Sequence, residues 1–284
     1  METVRSADGT EIAFDRLGSG PPVVLVCGGS VDRSDDAPLA ELLSADLTVF
    51  NYDRRGRGDS GDTQPYAIER EVEDIGAVIE AAGGRANLWG SSSGAVLALI
   101  ATARGVPVSK LALWEPPFIP EGVPKPPEDQ VAQYERMIAE DRRGDAVEYF
   151  MSKVVGLPPE MVAGARSQPW WQKTEGLAHT LAYDARIMGD YNIPSDEAKS
   201  VEAPALVVAG GADMPWMRDT ATALAGALPN GTRFEIPGSS IWGAAVGAFL
   251  SSVDSHPRVV ERAGKSTRAK SGSVQGASVA THAL

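Results

Sequence analysis

Cysteine is nearly absent. Cys27 is the only one in 284 residues, which excludes an intrachain disulfide and leads us to expect a cytoplasmic protein. Histidine is almost as scarce, with only His179, His256 and His282, so chemistry that needs an imidazole has three positions to draw on. No metal site and no cofactor are expected. Positive charge is in deficit: 26 Lys and Arg stand against 38 Asp and Glu, a net charge of −12. A phosphate-binding face needs a basic stripe, so nucleic acid is not an expected partner. No apolar run approaches the length needed to span a bilayer, and membrane contact is not expected either. The opening residues 1–9 lack the apolar core of a signal segment. No internal repeat is present.

What is present centres on residues 86–103. A short apolar strand turns through Gly90-Ser91-Ser92-Ser93-Gly94 and leaves as an Ala/Leu-rich helix. That strand–turn–helix setting gives G-x-S-x-G its chemical meaning. The glycines keep side chains out of the turn, so Ser92 can sit on strained backbone with its hydroxyl above the sheet. Only Ser92 of the three serines has glycine two residues away on each side. The helix that follows turns unpaired N–H groups and partial positive charge toward an oxyanion formed there.

Around this turn the chain alternates. Thr3–Ser6 and Glu11–Arg16 read as a hairpin, Val23–Val26 as a buried strand ending in Cys27-Gly28-Gly29-Ser30. A helix over Pro38–Ala45, a strand over Leu47–Tyr52 and a helix over Ile68–Ala82 follow. After the central turn comes the strand Lys110–Trp114. Strands alternating with helices predict an α/β fold with a mostly parallel sheet covered on both faces. From Pro120 to about Lys199 only helical patterns remain, over Glu128–Arg143, Ala146–Val155, Pro159–Arg166 and Trp171–Met188. The sheet resumes at Ala205–Ala209, then a helix Trp216–Ala227, a strand Arg233–Ile236 and a helix Trp242–Ser251. The expected division is a core of 1–116 and 200–255, an all-helical cap of 117–199 and a disordered tail of 256–284.

Four segments, each closing a strand, carry a family likeness: Val23–Gly29, Tyr52–Ser60, Gly90–Gly94 and Gly210–Asp213. In this order they resemble the α/β-hydrolase superfamily over about residues 1–255. The resemblance implies the α/β-hydrolase fold and a serine–acid–histidine triad in that chain order, with an oxyanion hole of two backbone N–H groups. Carried over, Ser92 is the nucleophile, and Gly29 and Ser93 supply the hole. The acid is Asp213, or Glu115 at the end of the preceding strand. Cys27 stands where many relatives carry histidine before the oxyanion glycine, and reads as a small buried thiol with a second-nucleophile role as the alternative.

The family's catalytic histidine falls in a Gly-x-x-His loop after the last strand. Here that loop reads Pro237-Gly238-Ser239-Ser240-Ile241-Trp242, with Ile241 at the histidine position. His256 lies beyond a final helix that carries it about 18 Å off at 1.5 Å per residue, and His282 lies in the tail. His179, on a cap helix, remains as a catalytic candidate approaching from above. The pocket is expected at the carboxyl edge of the sheet, between turn and cap, lined by Cys27, Trp89, Glu115, Trp170, Trp171, Ile241 and Trp242. Trp89, Trp170, Trp171 and Trp216 are not all expected to line it, because some must seal the cap against the core; at least one of Trp170 and Trp171 should touch it.

An incomplete triad leads us to expect a cofactor-independent cyclase, lyase or isomerase acting on a hydrophobic, carbonyl-bearing small molecule. A serine esterase or lactonase using His179 or water as base is the alternative, and a non-catalytic binding protein is a third. Self-association as a homodimer is left open.

Overall fold

The computed structural model describes residues 1–210, 214–236, 247 and 249–252. One eight-stranded sheet organises them, in the order β1-β2-β4-β3-β5-β6-β7-β8. β1 (Glu2–Arg5), β2 (Glu11–Leu17) and β4 (Thr48–Tyr52) pair antiparallel. β3 (Pro22–Val26), β5 (Ala86–Ser91), β6 (Val108–Trp114), β7 (Ala205–Gly210) and β8 (Gly231–Ile236) continue from β4 in parallel. The expected α/β-hydrolase architecture, an antiparallel hairpin joined to a mostly parallel sheet, is the one observed.

Strand alternation sends successive side chains to opposite faces. Val24, Val26, Leu88, Leu111 and Val207 pack under α2 (Ile68–Ala81) and α3 (Ser93–Ala103). Val23, Leu25, Trp89, Ala112 and Leu206 face the other way, with α1 (Ala37–Leu43) and Phe249. Both faces are therefore dry, which is why β3 and β5 read as nearly continuous apolar runs.

Between β6 and β7 the described elements are helical: α4 (Gln130–Ala139), α5 (Arg143–Tyr149), α6 (Pro159–Ala165), α7 (Trp171–Gly176), α8 (Leu181–Met188) and α9 (Ser195–Ser200). They enclose an apolar cluster of their own around Tyr134, Val147, Met151, Trp171 and Leu181. Two of the long helices expected here are broken. Glu128–Arg143 stops at Ala139, just before Asp141 takes a positive φ of 57°, and the chain restarts as α5. Trp171–Met188 divides at a 3-10 turn over Ala178–Thr180. α10 (Pro215–Ala227) joins β7 to β8. The helix expected at Trp242–Ser251 lies mostly outside the described residues, and the tail 256–284 lies wholly outside them.

Candidate active site

Ser92 joins β5 to α3 at φ 50° and ψ −124°, backbone that a residue with a Cβ rarely adopts. Its N–H donates to the Trp114 carbonyl at 2.9 Å, and its carbonyl accepts from Ala95 at 2.9 Å. The flanking glycines serve close approach. A Cβ on Gly90 would stand 2.8 Å from the Ala95 Cα, and one on Gly94 would press onto the carbonyl oxygens of Val26 and Cys27. The first turn of α3 therefore sits directly on the end of β3. Among the described residues, no side chain hydrogen-bonds the Ser92 hydroxyl.

The turn after β3 stacks against the same point. A Cβ on Gly28 would lie 3.3 Å from the Ser92 Cβ, and one on Gly29 would lie 3.6 Å from the Ser93 Oγ. Ser92, Ser93 and Gly29 are thus gathered at the carboxyl end of the sheet, with the N-terminus of α3 facing them.

Beneath them lies a buried ionic cluster that the sequence did not announce. Asp184, from α8, accepts from Ser93 Oγ at 2.8 Å, from Arg54 Nη1 at 2.9 Å and from Arg57 Nη2 at 2.9 and 2.8 Å. Arg54 turns its other edge to Glu71 at 2.7 and 2.8 Å. Burial pushes the Asp184 carboxyl upward, but Arg57 and Arg54 outweigh it and hold it below the usual carboxylate range. The signal in the sequence was the run Arg54-Arg55-Gly56-Arg57, three cations in one short loop. Nothing in the helical pattern of 181–188 marked Asp184 as their partner.

The remaining expected site residues scatter. His179 lies on the 3-10 turn, with Nδ1 3.5 Å from Arg143 Nη1 and Nε2 3.9 Å from Asp62 Oδ2. Its other neighbours are Gly56 and the Tyr183 ring, 6.3 Å away edge-on, and no hydrogen bond joins it to Ser92. Burial lowers its pKa, against the pull of Asp62. Glu115 follows β6 at φ 45° and donates its N–H to the Val208 carbonyl at 2.9 Å.

Two of the expected pocket residues require correction. Cys27 is 0% exposed, its Sγ 3.7 Å from the Val31 carbonyl, and burial pushes its thiol up to about 12. Trp89 is 1% exposed and packs among Leu25, Val49 and Val208, on the face of the sheet away from α3. Neither presents a surface to a ligand. Trp171 is buried in the helical insertion under the Arg166 guanidinium, 5.3 Å from its ring, with half-buried Trp170 6.3 Å away. Trp216, on α10, sets its Nε1 3.2 Å from Met214 Sδ. Asp213, Ile241 and Trp242 lie outside the described residues, as do segments 211–213 and 237–246 that follow β7 and β8.

Among the described residues no His/Cys/Asp/Glu group has the makings of a metal site, and no helix is long and apolar enough to cross a membrane.

A profile of the alpha/beta hydrolase family matches residues 23–261, most of the chain. The chain belongs to the alpha/beta hydrolase family. A crystal structure of an alpha/beta hydrolase from Sphaerobacter thermophilus DSM 20745 is 49% identical, with a TM-score of 0.83 over 88% of this chain and 98% of that one. The enol-lactonase from Burkholderia xenovorans LB400 is 26% identical, with a TM-score of 0.61 over 83% and 92% of the two chains. The uncharacterized hydrolase YraK of Bacillus subtilis (strain 168) is 35% identical over 95 residues. That match spans 32% of this chain and 35% of the relative. Family membership and hydrolase-named relatives support an enzyme. A hydrolytic activity of this alpha/beta hydrolase is at least as well supported as the cyclase or lyase activity expected from the sequence.

Proposed function

We propose that this alpha/beta hydrolase is a serine-dependent hydrolase of small, hydrophobic esters or lactones. The observation that carries the reading is the strain at Ser92. Backbone of this kind costs about 1–3 kcal/mol, and it is maintained at a residue whose hydroxyl has no structural bond among the described residues. In this reading Ser92 Oγ attacks the substrate carbonyl, and the N–H groups of Gly29 and Ser93 donate to the oxyanion that develops. The likeness to an enol-lactonase supports the substrate class. The base that receives the Ser92 proton is water or His179. With Ile241 at the family's histidine position, turnover is expected to be slow, because loss of a triad member costs about 10⁴-fold or more.

Ile241 also favours a second reading, a cofactor-independent cyclase, lyase or isomerase. There Ser92 and the two N–H groups would hydrogen-bond a carbonyl or enolate without forming an acyl-enzyme. One experiment separates the two. Activated esters and small lactones are incubated with the wild type and Ser92→Ala in H2¹⁸O. The hydrolase reading expects ¹⁸O in the acid product and loss of that product in the variant. Equal turnover by both proteins, or none by either, removes the hydrolase reading.

A further inference from the structure

We propose that Asp184 is a positioning residue that sets the oxyanion donors of the core from the helical insertion, acting through Arg57 and through Ser93. The proposal rests on reading the Gly29 and Ser93 N–H groups as those donors.

One planar peptide couples the turn's carbonyl to its donor. The Gly28 carbonyl and the Gly29 N–H belong to the same rigid unit and point in opposite directions. Whatever holds the carbonyl therefore aims the N–H. Arg57 Nη1 donates to that carbonyl, and also to the Val31 carbonyl at 3.2 Å, so the guanidinium clips the turn at both ends. Arg54 Nη1 reaches the preceding carbonyl, Cys27, at 3.3 Å. A guanidinium left to itself has many directions open to it. Here its Nη2 donates to both oxygens of Asp184, and such charge-assisted bonds fix orientation as well as energy.

The second donor is governed by the same carboxylate. Ser93 Oγ donates to Asp184 Oδ1, which fixes the first residue of α3, the one that carries the other N–H. Oδ2 leaves no spare room above Gly29, where a Cβ would stand 3.2 Å away. Arg54, Arg57 and Asp184 are nearly buried, with side chains 1%, 1% and 7% exposed. Water therefore cannot readily substitute for a missing partner. Because Asp184 is carried by α8, the seating of the insertion and the alignment of the hole become one event. Two further ties hold the same seat: Lys173 to Ser34 and Asp35, and Tyr183 to Asp62.

The test uses the full chain with ¹³C,¹⁵N-labelled glycine. The chain holds three Gly-Gly peptides, at 28–29, 83–84 and 210–211, so a Gly-Gly-filtered spectrum isolates the Gly29 amide beside the distant Gly84 as a control. Asp184→Asn and Arg57→Lys should each move or broaden the Gly29 signal and leave Gly84 in place. On p-nitrophenyl acetate they should lower kcat by about 10- to 100-fold with KM within about threefold. Ser93→Ala keeps both ion pairs and removes one hydroxyl, so it remains informative if a charge variant fails to fold. It should lower kcat by about 3- to 10-fold. A Gly29 signal identical to wild type in folded variants overturns the proposal, as does a kcat unaltered by all three substitutions in a Ser92-dependent wild type. If the wild type shows no Ser92-dependent turnover, the hydrolase reading fails, and the Gly29 signal alone then decides the positioning role.

Discussion

Gly94→Ala tests how tightly the catalytic turn is built. A Cβ there would press onto the Val26 and Cys27 carbonyl oxygens and stand 2.8 Å from the Cys27 carbonyl carbon. Carbon contacts settle near 3.5–4.0 Å, so α3 must withdraw from β3 by about 0.7 Å or more. The obstructing atoms are backbone, at the last residue of β3, where it pairs with β5, and in the turn that follows, so no side chain can swing away to make room. Overpacking against such a wall should cost about 3–5 kcal/mol, lowering Tm by about 8–12 °C. The same shift separates Ser92 from the Gly28–Gly29 turn, and a misplacement approaching 1 Å should reduce Ser92-dependent turnover by about 100-fold. Gly76→Ala supplies the control. Gly76 lies inside α2 with nothing within 4 Å of its Cβ position, so alanine there should stabilise by about 0.5–1 kcal/mol. Differential scanning calorimetry and ester turnover read both variants. If Gly94→Ala melts with the wild type and keeps its activity, α3 is not seated on β3 as described.

Cys27, fully buried with its thiol raised to about 12, should resist a disulfide reagent at pH 8 in the native protein and react only after denaturation; rapid native labelling would show that the turn opens. Asp36 has a carboxylate oxygen with no hydrogen-bond partner among the described residues, and burial, with Asp35 and Asp32, pushes it up to about 7 against the pull of Lys173. A carboxyl raised in the folded state favours folding when protonated, so stability should fall as pH rises from about 4 to about 7; Asp36→Asn should flatten that slope and add about 1–2 kcal/mol at pH 8, read by denaturant melts at both pH values. Ile241→His, which restores the family's residue type at that position, should raise ester turnover by about tenfold, a small fraction of what a complete triad supplies; no gain would count against a triad role for position 241.

The fold was legible where local pattern and tertiary environment agree. Apolar runs of four to six residues closed by Gly-rich turns are what a sheet buried on both faces demands, and β3, β5 and β7 read accordingly. Gly90 and Gly94 were legible as a pair, because close packing at a turn tolerates only glycine. Trp89 stands three residues before Ser92 in the chain, yet its side chain does not share that site. Alternation along β5 sends it with Leu25 to the far face. Asp184 was invisible for a different reason. Its contacts join residues separated by 130, 127 and 91 positions, and an acid on an amphipathic helix looks the same in sequence whether it meets water or two buried arginines. The break at Asp141 carried no glycine or proline to announce it. Asx side chains tolerate positive φ, a weaker mark.

In the hydrolase reading Ser92 engages a carbonyl as a nucleophile. Intact-mass spectrometry after brief incubation with p-nitrophenyl butyrate measures it directly. A single added butyryl group is expected, located by fragmentation at Ser92 and absent from Ser92→Ala. An unmodified wild-type chain under conditions where product has formed, or an adduct equally present in Ser92→Ala, would contradict it.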